Sequence, residues 1–362
     1  MLKIRPIMIV TLLFLLVSML LNPSAAASAA AHGLSLWWQI IAPSLLPFFI
    51  SFELLLNLGL GNVLGRLLEP IMRPVFALPG TAALGVAMGF CAGFPTGAAI
   101  AAALRNQGEI TAAEGERLIA FTNNASPLYL SVGVAAGILH CPQAALLLMA
   151  VQYLGNIALG ITLSLLPGAR KKVAHPTKTI LPPPCHPPSF GLLLKIAALK
   201  SAHNIALIGC YMAFFSVLTT MLCQLPLLQQ LIAASPPAGA FLAGFWEMSL
   251  GINALANLSP AQAIPWAAML LAWGGISVQA QVAAMVAGTG IRLRFYLLCR
   301  LLHSVFSYFA AREGLKLLSL PATTLTLLPT CPSPMLFSCR LLLILLLILP
   351  LIGGLLAQRN SV

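Results

Sequence analysis

Gly89-Phe90-Cys91-Ala92-Gly93-Phe94-Pro95-Thr96-Gly97, followed by Phe121-Thr122-Asn123-Asn124-Ala125-Ser126-Pro127, is apolar sequence interrupted twice by Gly, Pro and Asn. The chain then writes a similar arrangement again. Gly244-Phe245-Trp246-Glu247-Met248-Ser249-Leu250-Gly251 is followed by Ala272-Trp273-Gly274-Gly275-Ile276-Ser277. Gly89 pairs with Gly244 at an offset of 155, and Ser126 with Ser277 at 151. Pro removes a backbone donor, and Gly adopts conformations closed to other residues, so both interrupt helices. Matching interruptions in two apolar halves point to the central binding site of a transporter.

The rest of the composition sets the solvent in which these breaks must sit. Of 362 residues, 60% are hydrophobic and 7% charged, and the mean hydropathy is +0.97. Soluble domains carry about 25% charged residues, so this is a polytopic membrane protein. The net charge of +12 does not imply nucleic acid. Lys and Arg fall between apolar runs, where the positive-inside rule places them. The eight Cys and six His show no metal-ligand spacing, and no nucleophile–base constellation appears. The chain is read as neither an enzyme nor a metalloprotein.

Candidate membrane segments are roughly 7–22, 36–58, 81–104, 118–138, 143–166, 203–223, 237–257, 264–288, 295–311 and 339–357. If all span, the basic stretch from Arg170 to Lys200 falls outside, against the positive-inside rule. If 81–104 and 237–257 are instead re-entrant, Arg66, Arg73, Arg105, Arg292 and Arg294 join that stretch on the inside. The two halves then have opposite orientations. The expected fold is all-α and polytopic: an inverted repeat with two re-entrant hairpins, two broken transmembrane helices and about eight full spans. Residues 1–33 read as a signal-anchor helix, with Lys3 and Arg5 ahead of Ile7–Leu21. The small residues from Ser24 to Ala31 fit a retained anchor or a cleavage site. Residues 34–166 form repeat 1, 167–200 a basic Pro-rich cytoplasmic linker, and 201–315 the inverted repeat 2. A linker and a last transmembrane helix occupy 316–362.

Polar side chains at membrane depth cost free energy unless satisfied, which selects the candidate site. Asn123, Asn124 and Ser126 cluster on the first break, and Gly93 and Thr96 on the hairpin before it. Gly274, Gly275, Ser277, Gln279 and Gln281 mark the second break. Positions i and i+2 of a helix do not share a face, so one of Gln279 and Gln281 is expected at the site. The alternative is a polar clamp between helices. Glu247 is an intramembrane carboxylate and hence a coupling or gating candidate, or else one half of a structural pair. Half-helices whose positive ends face a central site suit an anionic substrate.

Taken together, several motifs resemble the YlbJ-type family of sporulation integral membrane proteins. They are Pro43-Ser44-Leu45-Leu46-Pro47-Phe48-Phe49, Met72-Arg73-Pro74, Gly93-Phe94-Pro95-Thr96-Gly97-Ala98, Glu114 to Leu118, Asn123-Asn124-Ala125-Ser126-Pro127 and Gly274-Gly275-Ile276-Ser277-Val278-Gln279-Ala280-Gln281. That family contains a gate, or nucleoside-recognition, domain and is distantly similar to concentrative nucleoside transporters. The resemblance covers about residues 34–315. It implies a multi-pass protein of the mother-cell-derived outer forespore membrane that moves dipicolinate during endospore formation. The readings are a transporter of a small carboxylate, a carrier of nucleosides or other metabolites, or a non-transporting scaffold of a sporulation complex. The expected partners are a small anionic substrate and the lipid bilayer. No cofactor is expected; coupling to H+ or Na+ stays open, as does homo-oligomerisation.

Overall fold

The structure, a computed structural model, describes residues 4–58, 60–166 and 189–318. The linker residues 167–188 and the last expected segment, 339–357, lie outside the described residues. Among the described residues the chain is helical throughout and contains no strand.

Helix α1 (Ile4–Leu21) meets α2 (Pro23–Leu36) at a sharp corner, with axes 109° apart. Pro23 sits at the start of α2, where its missing N–H costs nothing. The alanine-rich stretch is the packing face of α2. Ala26, Ala29 and Gly33 are buried, and a methyl group on Gly33 would lie 2.6 Å from Ser216 Oγ. A π turn, Trp37–Ile41, joins α2 to α3 (Ala42–Asn57) just before Pro43, which cannot donate back to the preceding turn. There the Trp37 indole donates to Ile205 O at 2.9 Å and packs onto Gly209. Helix α4 (Leu60–Phe76) bends 92° into the next element. Glu69 holds the corner by accepting from Arg73 and from the Gly80 N–H.

The first repeat follows. Helices α5 (Ala83–Cys91) and α6 (Thr96–Asn106) pack on one another as a hairpin closed by Ala92–Pro95. Their arms are about 14 and 17 Å long at 1.5 Å per residue, half of a ~30 Å hydrocarbon core. Helix α7 (Ala112–Thr122) starts on a capping box of Thr111 and Glu114. It stops at Asn123, and a π-helix (Tyr129–Ile138) and α8 (Ala144–Ser164) follow. After α9 (Phe190–Cys223) and the short α10 (Pro226–Ala234), the order repeats. Helices α11 (Pro236–Trp246) and α12 (Met248–Ala254) form a second hairpin. A methyl group on Gly251 would lie 2.3 Å from Gly244 Cα, so these two glycines let the arms touch. Helices α13 (Pro260–Trp273) and α14 (Gly275–Met285) form the second broken element, and α15 (Leu293–Leu318) closes the repeat. The halves interlock reciprocally. Helix α6 of the first hairpin packs on α14, and α12 of the second packs on the π-helix.

Among the described residues, three uninterrupted or nearly straight units have the length and hydropathy to cross a membrane: Ala144–Ser164, Phe190–Cys223 and Pro260–Met285. Two bent pairs raise the number to five, against the expected eight, of which the segment 339–357 lies outside the described residues. The difference has two physical causes. Hairpins and breaks divide the apolar sequence into short pieces. Helix α15 also lowers its own hydropathy by carrying Arg300, His303, Ser304 and Ser307, all buried against protein. Its opposite side exposes Leu298, Leu301, Leu302, Val305, Phe306 and Phe309, an apolar surface suited to lipid. The protein is an all-α polytopic membrane protein.

Candidate functional site

Both hairpin tips and both helix breaks meet at one cavity. Ala92, Gly93 and Phe94 come from the first tip, and Ser126, Leu128 and Tyr129 from the first break. Glu247, Met248 and Ser249 come from the second tip, and Ser277, Val278 and Gln281 from the second break. Ile41, Ile208 and Met212 complete an apolar wall. The unfilled space between these four elements is about 610 Å³ with its open mouth included.

The polar side of the cavity is built from hydroxyls, one amide and one carboxyl. Ser126 Oγ accepts from the Tyr129 N–H at 3.2 Å and so caps the π-helix. Tyr129 Oη donates to Ser249 Oγ at 3.2 Å, linking the first break to the second hairpin across 120 residues. Glu247 Oε2 accepts from the Leu250 N–H at 2.8 Å, and its side chain is buried. Gln281 Nε2 donates to Ser277 Oγ at 3.5 Å. Among the described residues no Lys, Arg or His lines the cavity, and Glu247 supplies its one carboxyl group.

Gly93, Ser126, Ser277, Gln281 and Glu247 therefore face the cavity, whereas Thr96, Asn123, Asn124, Gly274, Gly275 and Gln279 stand behind it. The polar side chains of the second group, Thr96, Asn123, Asn124 and Gln279, satisfy backbone around the breaks. A helix ending at Thr122 orphans its last carbonyls, which no water can reach in hydrocarbon. Asn123 Nδ2 donates to Ile119 O at 2.8 Å, and Asn124 Nδ2 to Phe121 O at 3.4 Å. Asn123 Oδ1 meanwhile accepts from the Ala98 N–H at 3.1 Å, which ties α6 to the break. Phe94 N–H donates to Asn124 O at 2.7 Å, and Thr96 Oγ1 donates to Met88 O at 3.2 Å. At the second break, Gln279 Nε2 donates to Trp273 O at 2.6 Å. The Trp273 indole donates to Phe245 O at 3.1 Å and stacks on the Phe245 ring at 5.5 Å.

Glycine is required where the pieces touch. Gly93 has φ +85°, and a methyl group there would lie 2.7 Å from the Ser126 backbone nitrogen. Gly275 has φ +78°, and a methyl group would lie 2.9 Å from the Met248 nitrogen. Each hairpin tip thus presses on the break of its own repeat through a glycine.

Sequence reasoning did not single out Tyr129, Ser249, Asn156 or Arg300. Arg300 is fully buried on α15. Its Nη1 donates to Asn123 O at 3.0 Å, and its Nη2 to Ala120 O at 2.5 Å and to Asn156 Oδ1. The guanidinium lies 6.0 Å from the centre of the Tyr296 ring. A cation at the C-terminal end of α7 also complements the helix dipole. Its sequence signal was available: a charge inside the apolar run from Phe295 to Phe309. Glu53, the other acid in an apolar stretch, pairs with Lys200 Nζ at 2.7 Å and does not line the cavity.

Comparison with known proteins gives two matches. The Gate family model, described as nucleoside recognition, matches residues 38–163, a stretch ending within α8. The sporulation integral membrane protein YlbJ of Bacillus subtilis (strain 168) is 32% identical over 332 residues, covering 84% of this chain and 81% of that protein. No solved structure matches the chain.

Proposed function

Since the chain belongs to the family of the sporulation integral membrane protein YlbJ, we propose that it is a transporter carrying a small carboxylate across a membrane. The substrate in this reading is dipicolinate, and the membrane is the mother-cell-derived one around the forespore. The observation that carries transport is the meeting of four broken elements, two from each repeat, at one polar-sided cavity. Half-helices held by single side-chain hydrogen bonds can shift against one another around a fixed site, which is what alternating access requires.

The lining supports a planar acid. Hydroxyls of Ser126, Ser249 and Ser277 and the Gln281 amide offer neutral donors, and Phe94, Met212 and Val278 offer apolar faces. An ionised Glu247 would repel such an anion, since like charges in a dry cavity do not readily coexist. Glu247 therefore carries a proton in the loaded state, donates to the substrate, and makes the proton the coupling ion rather than Na+.

The test is dipicolinate uptake into liposomes holding the purified protein, with and without an inward proton gradient. The parent is expected to accumulate the acid faster with the gradient. Ser277→Ala with Gln281→Ala should slow uptake by on the order of tenfold or more, the loss of about 1.4 kcal/mol or greater at a buried site. Glu247→Gln should abolish the response to the proton gradient. The family model's description favours a second reading, nucleoside transport. Competition by nucleosides, with no uptake of dipicolinate, would replace the carboxylate with that substrate. If folded protein moves neither, the transporter reading fails in favour of an assembly role.

A further inference from the structure

A second concavity lies at the opposite end of α14 from its break. The loop between α14 and α15 forms an open groove of about 1160 Å³ of unfilled space. Val286, Leu293 and Leu297 make its apolar walls, and Arg292 and Arg294 stand at its rim. Methyl groups placed on Gly288 and Gly290 would meet nothing within 4 Å, so the groove is clear at that loop. Both arginine side chains are exposed, and neither makes an ion pair among the described residues. Glu116 Oε1 accepts from the Arg292 backbone N–H at 3.3 Å, and Arg105 Nε donates to Thr289 O at 3.3 Å.

Below the rim, the exposed apolar stripe of α15 continues through Leu297, Leu301, Val305 and Phe309. It runs about 18 Å at 1.5 Å per residue, close to one leaflet of a ~30 Å hydrocarbon core. Two unpaired guanidinium groups above a leaflet-long apolar stripe match a phosphate above an acyl chain. The positive-inside rule also puts this end on the side where anionic lipids give the membrane surface its negative potential.

We propose that this groove is a binding site for an acidic phospholipid, with the headgroup phosphate between Arg292 and Arg294 and one acyl chain along α15. The occupant fits by charge and by length together. A zwitterionic lipid brings the same phosphate, but its own ammonium offsets the negative charge that the two arginines attract. A soluble phosphate would satisfy the arginines alone.

The experiment uses the full chain purified in detergent, exposed to phosphatidylglycerol or phosphatidylcholine and read by native mass spectrometry for retained lipid. The parent is expected to retain phosphatidylglycerol in preference to phosphatidylcholine. Arg292→Gln with Arg294→Gln should cut that retention on the order of tenfold, two basic side chains each contributing at the membrane surface. Arg292→Lys with Arg294→Lys should retain it, which separates lost charge from lost fold. Arg312→Gln, at the far end of α15, should leave it unchanged. Equal retention of both lipids would overturn the proposal, as would an unaffected glutamine double variant or an equal loss in Arg312→Gln. Displacement of the lipid by glycerol 3-phosphate at low concentration would overturn it in favour of a soluble phosphorylated solute.

Discussion

Arg300→Met is expected to destabilise the protein by about 3–5 kcal/mol, because three buried acceptors lose their donor at about 1–3 kcal/mol each. Methionine keeps much of the length and apolar bulk of the stem but removes every donor. Ala120 O, Asn123 O and Asn156 Oδ1 would then lose a bond inside hydrocarbon, where water cannot replace it. The damage falls on the first helix break, because two of those three acceptors belong to it. The readout is the thermal midpoint of the purified protein in detergent, with membrane insertion followed in parallel. Insertion should be unaffected, since the substitution makes the segment more apolar. Asn156→Ala removes one acceptor and leaves the two carbonyl bonds, so it should cost nearer 1 kcal/mol. Arg300→Lys keeps the charge but lacks the planar fork and should fall between the two. A methionine variant that melts with the parent would show that Arg300 is not what holds the break closed.

The second large effect is expected at Gly275. Gly275→Ala should abolish uptake and cost at least about 3 kcal/mol, from two separable causes. A left-handed φ of +78° costs an alanine about 1–2 kcal/mol on its own. The added methyl group would also lie 2.9 Å from Met248 N and 3.1 Å from Trp246 O, both backbone atoms of the second hairpin tip. Backbone cannot step aside as a side chain can, so the tip that carries Glu247 and Ser249 must move. Gly288 supplies the control. It has nearly the same φ, +77°, but a methyl group there meets nothing within 4 Å. Gly288→Ala should therefore show the conformational cost alone and keep uptake. Equal losses in the two variants would mean that strain, not the close approach, explains Gly275.

The two predictions locate what was and was not legible in the chain. Composition alone determined the membrane class, because a chain with 7% charged residues has too little charge to cover a soluble surface. The positions of the breaks were equally legible. Gly93, Pro95, Gly274 and Gly275 act through their own backbones, so a local cause gives a local effect. The duplication made those breaks stand out as a pair, and in the folded chain they converge on one cavity.

Which side chain at each break serves the cavity, and which serves the backbone, was decided only by the tertiary structure. Asn123, Asn124 and Ser126 are polar neighbours in sequence, yet the two amides turn to orphaned carbonyls and the hydroxyl turns to the cavity. Gln279 and Gln281 divide in the same way. An unpaired carbonyl attracts whichever donor the packing brings within about 3 Å, and sequence spacing does not fix that distance. For Ala120 the donor is Arg300, 180 residues away. For Ser249 it is Tyr129, 120 residues away. The sequence determined where the helices must stop; only the assembled fold determined what meets their open ends, because partners such as Arg300 and Ser249 come from the other half of the chain and even the nearby amides are aimed by packing.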